Sequence, residues 1–171
     1  MPVSADAILQ DRDGRSVLRF ERALRQPPER VWSALVEPGE QRSWHPTPFE
    51  FEPAVGGAVT YLAGGDVPET PSGEVTEYEP PRVLAHTWDD DLLRWEVSPT
   101  EDGSLLVLTH TFDDPLKAAR DAAGWHVCLD SLAALLAGDR ERSAGDWREL
   151  NAEYQRRFGI SPEQATPPPQ G

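Results

Sequence analysis

The sequence predicts a single α+β domain in which a curved antiparallel sheet packs around one long helix near the C-terminus. Two observations predict this class. Residues 49–112 read as a run of short strands separated by Gly, Pro and Asp turns, with no helical spacing between them. Residues 121–137 then follow helical spacing, and their apolar stripe is broad enough to cover one face of a sheet.

The chain has the length of one domain, since 171 residues can bury about two-thirds of their unfolded surface. We expect residues 1–14 to be a flexible N-terminus or a hairpin strand, because they end in an Asp-Gly turn signal. The domain itself is predicted over residues 15–159. Residues 160–171 are rich in proline and are expected to be a disordered tail.

A first strand and two short helices are predicted before the main run of strands. Residues 16–23 alternate apolar and charged side chains, which is typical of a half-buried strand. Pro28, followed by an acidic residue, suits the first turn of a helix, and Pro38 ends that helix. A second short helical turn is predicted over residues 40–44.

The rest of the sheet is predicted as six strands bounded by turn residues, at 49–52, 58–62, 74–79, 83–88, 92–98 and 104–112. A loop rich in Gly and Pro is predicted over residues 63–72. After the long helix, apolar side chains at helical spacing predict a further helix over residues 144–158.

Alternation along the strands assigns the large aromatic side chains to the concave face of the sheet, beneath the long helix. A pocket between sheet and helix would be lined by the side chains that share this face and by the inward stripe of the helix. The candidate ligand-binding residues are Tyr61, Leu84, His86, Trp88, Leu93, Trp95, Val97, Leu106, Leu108, His110, Trp125, Leu129 and Leu132.

Two histidines accompany these apolar side chains, and three roles are open for them. A buried imidazole needs hydrogen-bond partners, so His86 and His110 could bond a backbone carbonyl or a water. They could instead hold the polar end of a ligand. A metal site would need a third ligand from His45, His126 or a carboxylate, and no ligand spacing supports one. We therefore predict no metal, no cofactor and no catalytic residue.

The charge of the chain predicts which partners it avoids. The net charge is −14, and residues 50–102 contain 13 acidic residues against two arginines. This field would repel phosphate groups, so we expect no nucleic-acid partner and no binding to anionic membranes. A weak homodimer formed through strand edges is left open.

The single cysteine, Cys128, excludes an internal disulfide bond, and its apolar neighbours predict a buried thiol. The N-terminal residues show no basic start followed by an apolar run, and no stretch is long enough to span a bilayer. A cytoplasmic location is therefore expected.

Six stretches of the sequence resemble a known family, and together they extend over about 140 residues. The chain resembles proteins homologous to the activator of the heat-shock-protein-90 ATPase, which belong to the START-like, or SRPBCC, superfamily. The stretches that carry the resemblance are residues 19–46, 56–62, 72–88, 103–112, 124–138 and 147–159.

The resemblance implies a helix-grip fold, in which an antiparallel sheet of six to seven strands wraps around a long C-terminal helix. Two short helices after the first strand close one end. It also implies a deep apolar cavity, since related families bind lipids, sterols, polyketides or plant hormones. None of the matching positions is an established catalytic residue in this family.

Three functions follow as hypotheses. The first is binding of a small hydrophobic ligand in the cavity between the sheet and the long helix. The second is a chaperone-related or regulatory interaction module, which would need an exposed docking surface. The third is an enzyme of the cyclase or aromatase type, which would need an acid or base from His86, His110 or Tyr61.

Overall fold

In the part of the chain that the structure describes, eight strands form one curved, unclosed antiparallel sheet, in the spatial order β1-β2-β8-β7-β6-β5-β4-β3. The computed structural model describes residues 6–62, 71–139 and 145–167. The strands are β1 (Ile8–Arg12), β2 (Arg15–Leu24), β3 (Phe49–Phe51), β4 (Ala58–Tyr61), β5 (Pro71–Glu79), β6 (Val83–Trp88), β7 (Asp91–Thr100) and β8 (Gly103–Phe112).

The predicted α+β class is confirmed, but the expected six to seven strands are too few. The extra strand is β1, which pairs with β2 along its whole length. The turn between them has positive φ at both central residues, 55° at Asp13 and 82° at Gly14. Such turns match the twist of a hairpin, so this local sequence favours pairing at the sheet edge.

The described residues also form four α-helices. They are α1 (Pro28–Val36), α2 (Pro38–Gln41), α3 (Ala118–Ala137) and α4 (Trp147–Phe158). A 3₁₀ turn at Pro115–Lys117 leads into α3. Proline occupies the first turn of both α1 and α2, where its missing N–H group is not needed, so α2 begins two residues earlier than predicted.

Side-chain alternation along β7 and β8 is as predicted. Along β8 every second residue from Ser104 to Phe112 is buried, and along β7 the buried positions are Leu93, Trp95 and Val97. Cross-strand pairing places Trp95 opposite Leu84 on one side and opposite Leu108 on the other. The hydrophobic core therefore lies on the concave face of the sheet.

Strand β7 continues through Pro99, where the sequence predicted its end. Pro99 pairs with Ser104 of β8. On the other side, β6 begins at Val83 opposite Glu96, so β6 does not reach as far as Pro99. The missing N–H group of proline therefore removes no hydrogen bond from the sheet.

The long helix α3 covers the concave face with small side chains first and large ones later. Ala118, Ala119, Ala122 and Ala123 are fully buried in its first half, and Leu129 and Leu132 are buried in its second half. The helix begins three residues before the predicted start. It ends at Gly138, which has a φ of 70°, and the following amide bonds the Ala134 carbonyl, as in a Schellman cap.

Residues 160–167, the first part of the predicted tail, make contacts with the domain. Ile160 is buried, and the Thr166 amide donates to the Leu116 carbonyl while its hydroxyl donates to Asp114. These contacts hold the segment against the start of α3. The last four residues of the predicted tail lie outside the described residues, as do residues 1–5, 63–70 and 140–144.

In the part of the chain that the structure describes, none of the helices combines the length and the apolar character that crossing a membrane requires.

We predict that Leu132→Ala lowers the free energy of unfolding by about 2–5 kcal/mol, because Leu132 is completely buried and its removal leaves a cavity. Val55→Ala is the control, since Val55 is 67% exposed and its loss should change stability by less than about 0.5 kcal/mol. Urea unfolding of the two variants measures both values. Equal stability of both variants would contradict the placement of α3 in the core.

Candidate functional site

Three tryptophans meet in the interior between the sheet and α3. The rings of Trp44 and Trp125 each approach Trp95 edge to face, with centroids 5.7 and 5.6 Å away. All three side chains are at least 95% buried. Edge-to-face packing of this kind favours one fixed arrangement of the rings.

His86 links two of the predicted site residues by hydrogen bonds. The indole nitrogen of Trp95 donates to His86 Nε2 at 3.2 Å, so the proton of the neutral ring lies on Nδ1. That nitrogen donates to the Tyr61 hydroxyl at 2.9 Å, which in turn donates to the Thr87 carbonyl at 3.0 Å. Burial lowers the pKa of His86 to about 4 and raises the pKa of Tyr61. Both side chains are therefore neutral at physiological pH.

His45 is a buried histidine that the sequence did not place in the site. Its ring lies 5.5 Å from Trp125 and stacks on Trp88 at 6.1 Å. Its Nδ1 accepts a hydrogen bond from the Thr47 amide, and its Nε2 is buried with no hydrogen-bond partner in the described structure. Burial, followed by the neighbouring His86, lowers the pKa of His45 to about 3.

Most of the predicted site residues lie in the hydrophobic core, where they contact one another. Ten of the thirteen candidates are more than 90% buried there and do not line the cavity described below. They are Tyr61, Leu84, His86, Leu93, Trp95, Val97, Leu106, Leu108, Leu129 and Leu132. Contact of these ten residues with a ligand stays a prediction.

A cavity of about 600 Å³ lies at one end of this core, where the sheet meets the first half of α3. Three predicted residues line it: Trp88 at the end of β6, His110 on β8 and Trp125 on α3. The remaining lining residues were not predicted. They are Pro46, Thr47, Asp89, Asp90, Asp91, Lys117, Arg120, Asp121, Gly124 and Trp147.

His110 connects the core to this cavity. Its Nδ1 accepts a hydrogen bond from the Trp125 indole at 3.1 Å, which leaves the proton of the neutral ring on Nε2. That nitrogen donates to Asp91 Oδ2 at 2.7 Å. Both ring nitrogens are therefore used within the protein, and the Asp91–His110 pair has no free nitrogen to act as a base.

Charged side chains form a paired network along one wall of the cavity. Lys117 Nζ lies 2.6 Å from Asp91 and 3.7 Å from Asp121, and Arg120 Nε lies 2.8 Å from Asp121. Burial opposes ionisation of Asp91, but the hydrogen bonds from His110 and Lys117 outweigh it and hold the pKa of Asp91 below its ordinary value. Asp91 is therefore an anion at neutral pH.

One group of potential metal ligands occurs among the described residues. Ligand atoms of Asp91, His110 and Asp121 lie within 4.8 Å of one another. The ammonium group of Lys117 contacts both carboxylates and already supplies the positive charge that a cation would bring. This arrangement does not favour a metal ion.

The three side chains considered as acid or base of a cyclase-type enzyme are His86, His110 and Tyr61. Each histidine uses both ring nitrogens in internal hydrogen bonds, and the Tyr61 hydroxyl donates to a backbone carbonyl. No observation in the described structure therefore favours an enzymatic role for them.

Comparison with known proteins agrees with this architecture. Residues 25–137 match the model of a family described as "Activator of Hsp90 ATPase homolog 1-like protein". The chain belongs to this family. The resemblance seen in the sequence is thereby confirmed, together with the SRPBCC-type fold. The search of curated proteins gives no match to the chain.

Several solved structures have the same fold. The conserved protein of unknown function EF2215 from Enterococcus faecalis is 21% identical, with a TM-score of 0.76 and coverage of 90% of each chain. CalU16 from Micromonospora echinospora is 20% identical, with a TM-score of 0.64 and coverage of 90% of this chain and 95% of its own. The protein encoded by gene BPP1335 from Bordetella parapertussis is 27% identical, with a TM-score of 0.61 and coverage of 92% and 93%. At these identities, the first two likenesses show the fold alone.

We predict that His45→Phe reduces the loss of stability in mild acid. In the wild type, the unfolded chain takes up a proton on His45 below a pKa of 6.5, whereas the folded chain does not until about 3. The free energy of unfolding therefore decreases as the pH falls from about 6.5 towards 3, by up to about 1.4 kcal/mol per pH unit for this one group. The variant lacks this proton uptake.

Urea unfolding at about pH 7, 6 and 5 measures the two slopes, whose difference follows from proton linkage. Val55→Ala serves as the control and should keep the wild-type slope, because its side chain is exposed and does not titrate. Identical slopes for His45→Phe and the wild type would show that folding does not lower the pKa of His45.

Proposed function

We propose that the chain binds a small organic ligand in the cavity between the sheet and the first half of α3. The observation that carries this proposal is that three tryptophans, Trp88, Trp125 and Trp147, line one cavity of about 600 Å³. This volume is in the range of sites for small molecules, which are mainly apolar with a few polar groups that orient the ligand. The fold of the family fits a ligand-binding or regulatory role.

The proposed site lies at the end of the core and not at its centre, where the sequence placed it. The centre is occupied by the side chains of Trp95, Trp44 and their neighbours, whose burial leaves them in contact with one another. The cavity at the end of the core is lined by tryptophans, as expected of the site, but also by charged side chains from α3 and from the β6–β7 turn. We therefore expect a ligand with an aromatic or apolar body and a polar group.

The chaperone-related or regulatory alternative has less support. A docking surface usually includes a contiguous apolar patch. Among the described residues, the exposed large apolar side chains are Ile8, Val55 and Leu116, which belong to three different segments of the chain. Homodimerisation, the cytoplasmic location and the absence of a nucleic-acid partner stay predictions.

We predict that the neutral fluorescent probe N-phenyl-1-naphthylamine binds saturably and that Trp147→Leu weakens this binding about tenfold. Trp147 is partly exposed and packs against the edge of the core, so its replacement by leucine removes aromatic contact area from the cavity but keeps an apolar side chain there. Phe158→Leu is the matched control, since Phe158 lies on the same helix, is also partly exposed and does not line the cavity.

Probe fluorescence measures the dissociation constant of each variant. Two results would contradict the proposal: binding no tighter than to an unrelated acidic protein, or equal weakening by Trp147→Leu and Phe158→Leu.

A further inference from the structure

We propose that the ligand of this cavity carries a positive charge and is an organic ammonium compound. This inference rests on the proposed function, because it concerns the charge that the cavity selects. The cavity and its three tryptophans define the site. The pairing of the surrounding charges then decides between a cationic, a neutral and an anionic ligand.

The positive groups of the cavity are already paired within the protein. Lys117 contacts the carboxylates of Asp91 and Asp121. Arg120 contacts Asp121 with its Nε and donates from Nη1 to the Pro167 carbonyl at 2.8 Å. These side chains are largely shielded, with 17% and 18% exposure. An anionic ligand would have to compete with these carboxylates for them.

Two negative groups of the lining, in contrast, have no counter-ion. The carboxylates of Asp89 and Asp90 make no hydrogen bond or ion pair within the described residues, and the Asp90 carbonyl is the group that bonds Arg15. Both residues are exposed, at the turn between β6 and β7. Four carboxylates therefore face two cations around the cavity, and the two without a counter-ion are at the turn next to Trp88.

The tryptophans provide the second element of cation recognition. An ammonium group placed over an indole face is attracted by the ring quadrupole, and tryptophan is the most effective aromatic residue for this contact. Trp88 is stacked on Tyr61 at 4.4 Å and 14° and on His45 at 6.1 Å and 27°, so two ring contacts fix its position. Trp88 and Trp147 are both partly exposed and both line the cavity.

The charge of the whole chain acts in the same direction. The net charge of −14 attracts cations from solution and repels anions. Because Asp89 and Asp90 are exposed, their attraction for a cation acts through solvent and is screened by salt. Aromatic walls, uncompensated carboxylates and net charge thus all favour an ammonium-bearing ligand.

The test compares three probes with the same benzyl group and different charges: benzyltrimethylammonium, benzyl alcohol and phenylacetate. Titrations of the full chain, followed by tryptophan fluorescence, give each dissociation constant. We expect the cation to bind about tenfold more tightly than benzyl alcohol and phenylacetate to bind least. Added salt should weaken the binding of the cation and leave the binding of benzyl alcohol nearly unchanged.

The double variant Asp89→Asn with Asp90→Asn should bind the cation about fivefold more weakly than the wild type and bind benzyl alcohol equally well. The matched control is Glu101→Gln with Asp102→Asn, which removes the same charge from the exposed turn between β7 and β8, at the opposite end of β7. If only the net charge matters, both double variants will behave alike, and the inference of a local cation site is then wrong.

The outcomes separate the inference from the proposed function. If benzyl alcohol or phenylacetate binds as tightly as the cation, with dependence on Trp147, the inference fails and the proposed function stands. If neither the three benzyl probes nor N-phenyl-1-naphthylamine binds, the proposed function fails.

Discussion

The structure depends on one constraint: the indole N–H groups of the tryptophans that fill the concave face must each find an acceptor away from water. Trp44 donates to the Ala34 carbonyl, Trp95 to His86 and Trp125 to His110. A buried donor without a partner costs about 1–3 kcal/mol, so these three bonds are needed if the rings are to occupy the core. The two histidines among the inward-facing residues serve first as acceptors for indoles, and this role determines which of their nitrogens carries the proton.

The same constraint places the cavity at the end of the core. Trp95 and its neighbours fill the centre of the core. The open space therefore lies between the start of α3 and the β6–β7 turn. His110 joins the two regions, since it accepts from Trp125 on the core side and donates to Asp91 on the cavity side. The charged wall formed by Asp91, Lys117 and Asp121 is thus connected to the tryptophan core by hydrogen bonds.

Alternation and turn residues were sufficient to predict β2 to β8, the concave face and the long helix, because these features depend on local spacing. Trp95 and Leu132 lie inside as expected. The filling of the interior could not be predicted, since it depends on how the rings of Trp44 after α2, Trp95 on β7 and Trp125 on α3 fit together in three dimensions. Lys117 lies in a 3₁₀ turn and Trp147 is the first residue of α4. Both reach the cavity through tertiary contacts that local spacing does not show. Pro99 was misread because the sequence does not show that the neighbouring strand is shorter.

The location of the site is the central claim, and the indole N–H signals of the six tryptophans test it most directly by nuclear magnetic resonance. Titration with benzyltrimethylammonium or with N-phenyl-1-naphthylamine should shift the signals of Trp88, Trp125 and Trp147, which line the cavity. The signals of Trp44 and Trp95, whose N–H groups are bonded in the core, should move little. Largest shifts at Trp44 and Trp95 would show that the ligand enters the interior and would contradict the account.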